Sequence, residues 1–466
     1  MAQRTPVEED LRGIVAGEVI ADDAGRGLYA TDGSLFEARP LAVVRPRSTE
    51  DVAATVAWAA ERGIPVHARG AGSSICGGPL GSGVVIDCSR FLRRVVRTDA
   101  DSGTVRVQPG VVAAHLDAHL GRFGRTFGPD PSNFAITTVG GMIGRNASGS
   151  RFLRHGAVRG RIAAAQVVLA DGEVVEVTPA PADSGAGERE AAPATRLSGL
   201  ARRVAAVLES ARGTIARYQP PTRFSHGGYG LHDLEAAGFI DLPRLLCGAE
   251  GTLGIVTEAT LCTVPADGAT AVGLLLFDSL DRAAEAAGAV RALGPSACDL
   301  FDKRHLALAR GTKPAVDLLI PPVAEAGLLV EFTADEPAEC AARLDEAIAA
   351  VQRPRTGCID VRRADDEVDA AFFWELSRSA VATLSGVRAT VRPVPFIEDI
   401  VVPPPAVPEF LRRLQEALKR CDFTAMVFGH VGHGQLHVRP YADPRAAGER
   451  ARLEALAEAV YAEVAG

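Results

Sequence analysis

Thr137-Thr138-Val139-Gly140-Gly141-Met142-Ile143-Gly144-Arg145-Asn146-Ala147-Ser148-Gly149 is the stretch on which the fold turns. It reads as a long loop of Gly, Ser, Thr and Asn, with few side chains able to fill a core. A compact domain rarely keeps such a loop without a use. Gly128-Pro129-Asp130-Pro131-Ser132-Asn133 leads into it. Upstream, Arg69-Gly70-Ala71-Gly72-Ser73-Ser74 follows the strand-like IPVHA. Downstream lies Cys247-Gly248-Ala249-Glu250-Gly251-Thr252-Leu253-Gly254-Ile255-Val256. Closely spaced glycines let a backbone approach a phosphate and cradle its oxygens with consecutive N–H groups. One such segment is no more than a tight turn. Three together suggest a large ligand with a pyrophosphate lying along backbone amides. A Rossmann site does not fit, because Ile75 stands where the last glycine of G-x-G-x-x-G belongs and no glycine-opened helix follows.

The flanking pattern mixes strands and helices. LAVVRP, IPVHARG, GVVIDCS, TVRVQPG and AAAQVVLADGEVVEV are short, β-branched and bounded by Gly, Asp or Pro, as strands are. STEDVAATVAWAAERG is a helix with Ser48 or Thr49 as N-cap and Gly63 as its stop. The Pro-, Ala-, Gly- and Glu-rich stretch Thr178–Thr195 is expected to be a solvated loop, after which SGLARRVAAVLESAR resumes a helical period. Beyond Pro265, AVGLLLFDS and GLLVEFTAD alternate with the helical LDRAAEAAGAVRALG and PAECAARLDEAIAAVQ. That order predicts an α+β domain with helices on one face of an antiparallel sheet. The expected division is an N-terminal segment 1–38, a first domain 39–266 and a second domain 267–466.

Composition excludes several classes. The 466 residues are 47% hydrophobic and 23% charged, which rules out a disordered chain. A net charge of −8 argues against a nucleic-acid binder. No apolar run reaches the roughly 18–20 residues that span a bilayer, and MAQRTPVEEDLRG lacks the apolar core of a signal peptide. None of the eight cysteines is spaced C-x-x-C, so they read as buried thiols of a cytoplasmic protein rather than iron–sulfur or zinc ligands.

Three histidines cluster in Phe428-Gly429-His430-Val431-Gly432-His433-Gly434-Gln435-Leu436-His437. A regular strand would put His430 on the face opposite His433 and His437. The interleaved glycines allow a turn that converges His430 and His437 on a metal. The segment reads equally well as a glycine-rich surface turn. His115 and His119, four apart, are better read as a surface helix, since no H-E-x-x-H accompanies them. Arg378 in FFWELSRSA and Arg392 in TVRPVPFIED offer planar forks for a carboxylate, or else surface ion pairs.

The three glycine-rich segments resemble, in order and spacing over about Pro40–Pro265, the vanillyl-alcohol oxidase-type (PCMH-type) FAD-binding domain. RGAGSS matches its R-G-x-G-T/S-S pyrophosphate loop, TVGGMIGRNASG its second flavin loop and GAEGTLGIVTEATLCTVP its closing strand. The resemblance implies FAD contacts from Arg69, Gly70, Ala71, Gly72, Ser73, Ser74, Pro129, Asp130, Ser132, Thr138, Gly140, Gly141, Gly144, Asn146, Ser148, Gly149, Glu250, Gly254 and Ile255. Arg69–Gly78 carries no His or Cys at the position where covalent members attach flavin, so the implied FAD is non-covalent.

The histidine segment is similar to G-H-x-G-D-G-N-x-H of FAD-linked 2-hydroxy-acid dehydrogenases, the D-lactate, glycolate-oxidase-subunit and D-2-hydroxyglutarate enzymes. There the outer histidines bind a divalent metal, Zn, Mn or Fe; they map to His430 and His437. His433 replaces the family's Asp and Gln435 its Asn. HVRP and PVPFIEDIVVP look closest to the subgroup fused to an iron–sulfur domain. The resemblance further implies a ferredoxin-like α+β substrate domain. It places Arg378 and Arg392 on the substrate carboxylate, although the family usually has Lys at the second position. Glu398 and Asp399 are placed beside the cations or the metal, and Tyr229 near the substrate pocket. The family's second motif, with a metal-binding Glu and a His as general base, is expected after Gly466. The implied activity is oxidation of a D-2-hydroxy acid by FAD, with electrons passed to a quinone, cytochrome or iron–sulfur partner. Alternatives are an FAD-binding subunit or fragment that needs a partner chain, and a non-redox alkyl-transfer synthase on the same fold.

Overall fold

Val84–Asp87 is buried at every position, and it pairs in parallel with Ala42–Arg45 on one side and Val66–Arg69 on the other. Its β-branched run suits a strand covered on both faces. The helix Thr49–Glu61 covers this sheet with Val52, Val56 and Ala59; Ser48 caps it by accepting from the Asp51 N–H. These elements belong to a computed structural model that describes residues 6–182, 195–222, 224–225, 227–386 and 389–466. Most of the expected loop Thr178–Thr195 lies outside the described residues.

The chain forms two compact units. Unit 1 comprises Met1–Ser148, Ala157–Pro220 and His226–Ala266. The N-terminal stretch, expected to stand apart, is part of it. Glu18–Ile20 pairs with Ala42–Arg45, and Leu11, Val15 and Val19 enter the same core as Val52 and Trp58. A helix of nine residues, Pro6–Ile14, is too short to show a period in sequence. A second sheet is antiparallel, in the order Val95–Asp99, Thr104–Val107, Ile255–Cys262, Ile162–Val168, Val174–Val177. Ile255–Cys262 alternates buried and half-buried along its length, so one face packs on Leu116, Leu120 and Met142.

Unit 2 comprises Asp267–Gly466 together with two pieces of upstream chain, Gly149–Gly156 and Pro221–Ser225. Gly149, expected among the flavin contacts, therefore clusters with the second unit. Its eight-stranded sheet runs Cys358–Arg363, Ala269–Phe277, Ala326–Ala334, Ala297–Asp302, Ala425–His430, Gln435–Ala442, Arg392–Pro393, with Ile397–Val401 also on Gln435–Ala442. Helices cover both faces, not one. Leu275, Phe277, Leu328 and Val330 meet the helices Leu280–Arg291, Pro337–Val351, Val407–Arg420 and Glu449–Ala465. Leu274, Leu276, Phe301 and Leu329 meet Lys303–Arg310, Pro314–Leu319 and Glu367–Gly386. Unbroken apolar runs such as GLLLF need burial on both sides.

None of the eight cysteines is in a disulfide; Cys76 is exposed and Cys262, Cys358 and Cys421 are half-buried, against the expectation of buried thiols. Among the described residues, no helix is long and apolar enough to cross a membrane.

Candidate functional site

In unit 1 the glycine-rich segments meet. The second one is not a loop: Val139–Arg145 is a short helix, capped by Thr138, whose side chain accepts from the Gly141 N–H. The run of small residues predicts a loop, but a capped helix of about two turns needs few side chains. The Arg69–Ser74 loop lies against this cap so closely that a Cβ on Gly70 would fall 2.1 Å from Thr138 Oγ1. Asn133 Nδ2 donates to Ser73 Oγ at 2.7 Å, and Arg145 donates to Ser74 Oγ at 3.0 Å. The third segment joins through the Glu250 N–H, which donates to Gly144 O at 2.9 Å. Backbone amides, hydroxyls and side-chain-free surface are thus gathered in one place, the requirement for a cradle around a pyrophosphate.

Some expected contacts have bracing partners. Arg69 donates to Thr31 O at 2.9 Å and Tyr29 O at 3.3 Å, and its guanidinium lies 5.2 Å from the Tyr29 ring. Burial and the Asp87 carboxylate push the Tyr29 hydroxyl up to about 12. Asn146, left-handed at φ 51°, accepts the Arg159 N–H on its side-chain oxygen. Tyr229 hydrogen-bonds Thr252 at 2.9 Å. Pro129 is buried, Ser132 exposed, and Ile255 sits in the core. His119 meets the Thr98 hydroxyl at 2.8 Å, while His115 is exposed.

In unit 2 the histidine segment is a hairpin. Ala425–His430 and Gln435–Ala442 pair with His430 opposite Gln435 and Phe428 opposite His437. Hence His430, Gln435 and His437 share one face. Gly434 makes the turn possible: its φ is +84°, and a Cβ there would lie 2.0 Å from Val402 O. The rings of His430 and His437 are 6.4 Å apart.

Each outer histidine has a carboxylate on Nδ1. His430 Nδ1 is 2.7 Å from Asp299 Oδ1. Asp299 is buried, and its other oxygen accepts from Ser150 at 2.7 Å and Ser377 at 3.0 Å. Burial raises this carboxyl's pKa, but the charge and hydrogen bonds of His430 and the two serines win, leaving it below the usual range. His437 Nδ1 lies 2.6 Å from Glu398 Oε2, close enough for an ion pair but off hydrogen-bond alignment. Glu398 Oε1 accepts from Arg439 at 2.6 Å. The Asp399 N–H also donates to His437 Nδ1 at 3.5 Å; a carboxylate on one ring nitrogen is the arrangement found around metal-binding histidines. His433 is buried and stacks on His430, with ring centroids 5.4 Å apart; it also lies 4.7 Å from the Phe152 ring and is bonded through Nε2 to Gln435 at 3.0 Å. Gln435 in turn donates to Asp399 at 2.8 Å.

Beside the hairpin, on the same sheet face, Glu331 takes a bidentate fork from Arg151 at 2.6 and 2.7 Å and the Trp374 indole N–H at 2.9 Å. Arg378 is exposed, its guanidinium 5.7 Å from the Trp374 ring. Arg392 is half-buried on the edge strand opposite Ala442. Sequence reading missed Asp299, Glu331, Ser150, Ser377 and Trp374. Acidic residues inside the apolar runs ACDLFD and GLLVEFTAD were the available signal, since a charge in a buried strand needs partners. Among the described residues, no three or more His, Cys, Asp or Glu side chains are grouped to hold a metal.

The chain matches the FAD binding domain model over residues 40–178 and the model of FAD linked oxidases, C-terminal domain, over 267–466. It is 31% identical over 466 residues to a D-2-hydroxyglutarate dehydrogenase of Pseudomonas putida, covering 96% of this chain and 45% of that protein. It is 28% identical to glycolate oxidase subunit GlcD of Bacillus subtilis, covering 94% and 82%. It is also 28% identical to a D-lactate dehydrogenase of Archaeoglobus fulgidus, covering 86% and 76%. The chain thus spans less than half the length of the D-2-hydroxyglutarate dehydrogenases it matches. In fold it is similar to an alkyldihydroxyacetonephosphate synthase, with TM-score 0.69 at 15% identity over 99% of this chain and 82% of that one. A 4-ethylphenol oxidase from Gulosibacter chungangensis gives TM-score 0.64 at 15% identity, covering 97% and 86%.

Proposed function

We propose that this chain, which belongs to the FAD-linked oxidases built from an FAD binding domain and an FAD-linked oxidase C-terminal domain, oxidises a D-2-hydroxy acid to the 2-oxo acid. The observation that carries this reading is the carboxylate-backed pair His430 and His437, on a domain whose relatives bear the names of 2-hydroxy-acid dehydrogenases.

Non-covalently bound FAD supplies the two-electron acceptor. The amides and hydroxyls around Gly70, Ser73, Ser74 and Thr138 would hold its pyrophosphate, where side-chain-free backbone permits close approach. Arg378, with Arg392, receives the substrate carboxylate. A guanidinium stays charged at every working pH and matches a carboxylate's two oxygens.

The two histidines are suited to hold a divalent ion, Zn, Mn or Fe, that would act on the substrate hydroxyl as a Lewis acid. Asp299 and Glu398 orient the imidazoles and raise their basicity.

Electrons leave the cofactor to a quinone, cytochrome or iron–sulfur partner. GlcD is by name a subunit, and a partner subunit here is part of the same reading. The test is the visible spectrum of the purified chain before and after anaerobic addition of D-lactate, glycolate and D-2-hydroxyglutarate. Bleaching by one acid supports the reading and names the substrate. A yellow protein that none of the acids bleaches favours an FAD-binding subunit that acts only with a partner.

A further inference from the structure

We propose that Trp374, held in its plane by the buried carboxylate of Glu331, is the positioning residue that presents Arg378 to the substrate carboxylate. This rests on the hydroxy-acid reading above, in which Arg378 is the anion anchor.

Glu331 lies in the middle of the strand Ala326–Ala334 and is 1% exposed, between Val330 and Phe332. A carboxylate there is desolvated, and a well-packed apolar residue serves stability at least as well. What the carboxylate adds is direction. It accepts three hydrogen bonds, two from the Arg151 fork and one from the Trp374 indole N–H. The indole bond fixes the rotation of the ring. Trp374 itself is 3% exposed and packs on the core beneath the helix Glu367–Gly386.

The fixed ring serves two cations. The Arg151 guanidinium is 5.0 Å from its centroid and that of Arg378 is 5.7 Å away, both within cation–π range. Arg151 is also held by Glu331 in a bidentate pair, and Arg378 sits four residues after Trp374 on the same helix face, with its side chain exposed. An arginine side chain is long and has many rotamers to lose on ordering. Resting it on a locked indole narrows that ensemble before the anion arrives, which is how preorganisation raises affinity. Ser377, next to Arg378, bonds the Asp299 carboxylate that also holds His430. The anion anchor and the histidine are therefore tied to one sheet face by two buried carboxylates.

The test is a double-mutant cycle on the full FAD-loaded chain, with oxalate as the probe and isothermal titration as the readout. Oxalate presents a carboxylate beside an oxygen-bearing carbon, as every 2-oxo acid does. Arg378→Met is expected to weaken oxalate about tenfold or more. Trp374→Leu is expected to weaken it about three- to tenfold, and Trp374→Phe, which keeps a ring but loses the Glu331 bond, by less. The combined Arg378→Met and Trp374→Leu variant should bind no more weakly than Arg378→Met alone. In steady state the Trp374 variants should raise KM and leave kcat nearly unchanged.

A merely structural tryptophan would lower Tm in both variants and leave oxalate affinity alone; that result overturns the proposal. If Trp374→Leu does not fold, Trp374→Phe decides on the same readout. Additive losses in the double variant also overturn it. Unchanged affinity in Arg378→Met, or no oxalate binding by the wild type, removes the anchor itself, and the hydroxy-acid reading fails with this one.

Discussion

Asp299 Oδ1 and His430 Nδ1 lie 2.7 Å apart although 131 residues separate them in the chain. The strands Ala297–Asp302 and Ala425–His430 are neighbours in the unit 2 sheet, so the pair is a cross-strand contact on one face. The carboxylate determines which ring nitrogen carries the proton, and so which one is left to bind.

Asp299→Asn keeps an acceptor for the His430 N–H but removes the charge. Loss of such a partner lowers metal affinity by roughly 10–100-fold. The purified variant should therefore carry less metal by elemental analysis, with its flavin spectrum unchanged. Its stability to urea should fall by about 1–3 kcal/mol, because Ser150, Ser377 and His430 all bond this carboxylate. Equal metal content in the two proteins would sink the assignment.

His437→Ala removes one of the two imidazoles proposed to hold the metal. Metal content and turnover should both be lost, and bound FAD retained. Loss of FAD instead would count against the division of labour between the two units.

Gly70→Ala places a methyl where Thr138 Oγ1 already stands, 2.1 Å from the new carbon. Overpacking of this kind costs about 1–3 kcal/mol, and here it acts on the cradle. FAD affinity, followed by flavin fluorescence, should drop by ten- to a hundredfold, as about 1.4 kcal/mol corresponds to tenfold. Adding Thr138→Ala removes the obstructing oxygen and should restore part of the loss. No rescue would mean that the glycine acts through something other than this contact.

His305 is fully buried, with its Nε2 on Leu376 O, and burial pushes its pKa down to about 4. The folded state thus prefers the neutral ring. That stability is complete above the unfolded value near 6.5 and is lost as pH falls toward 4. Between pH 7.5 and 5.0 the loss is on the order of 2 kcal/mol. Asp302, raised to about 6 by burial, has the opposite sign: its contribution is present below about 4 and fades as pH rises through 6. Urea unfolding of wild type and His305→Gln at both pH values separates the two. The variant should lose the His305 contribution and become less sensitive to acid. Parallel pH dependences would show that His305 titrates normally.

The glycine-rich segments and the histidine hairpin were legible because their meaning is local. Gly70 has to be glycine for close approach, and Gly434 for a left-handed turn, whatever surrounds them. The strands LAVVRP and GVVIDCS and the Ser48 cap were readable for the same reason. Other readings failed where packing overrides local signals. Val139–Arg145 looked like loop until Thr138 capped it, and Pro6–Ile14 was too short to show a period. Helices were expected on one face of the second sheet, yet the runs Leu274–Phe277 and Leu328–Val330 are buried on both.

What the sequence determined by itself, then, was the chemistry on offer: glycine-rich backbone open to close approach, two histidines seven apart and arginines whose shape suits a carboxylate. These follow from residue type and short spacing. Only the tertiary structure decided which acids act on them. Glu331 meets Arg151 across 180 positions and Trp374 across 43. Strand pairing and helix docking set those meetings, and a buried carboxylate is stable only where the fold brings donors to it.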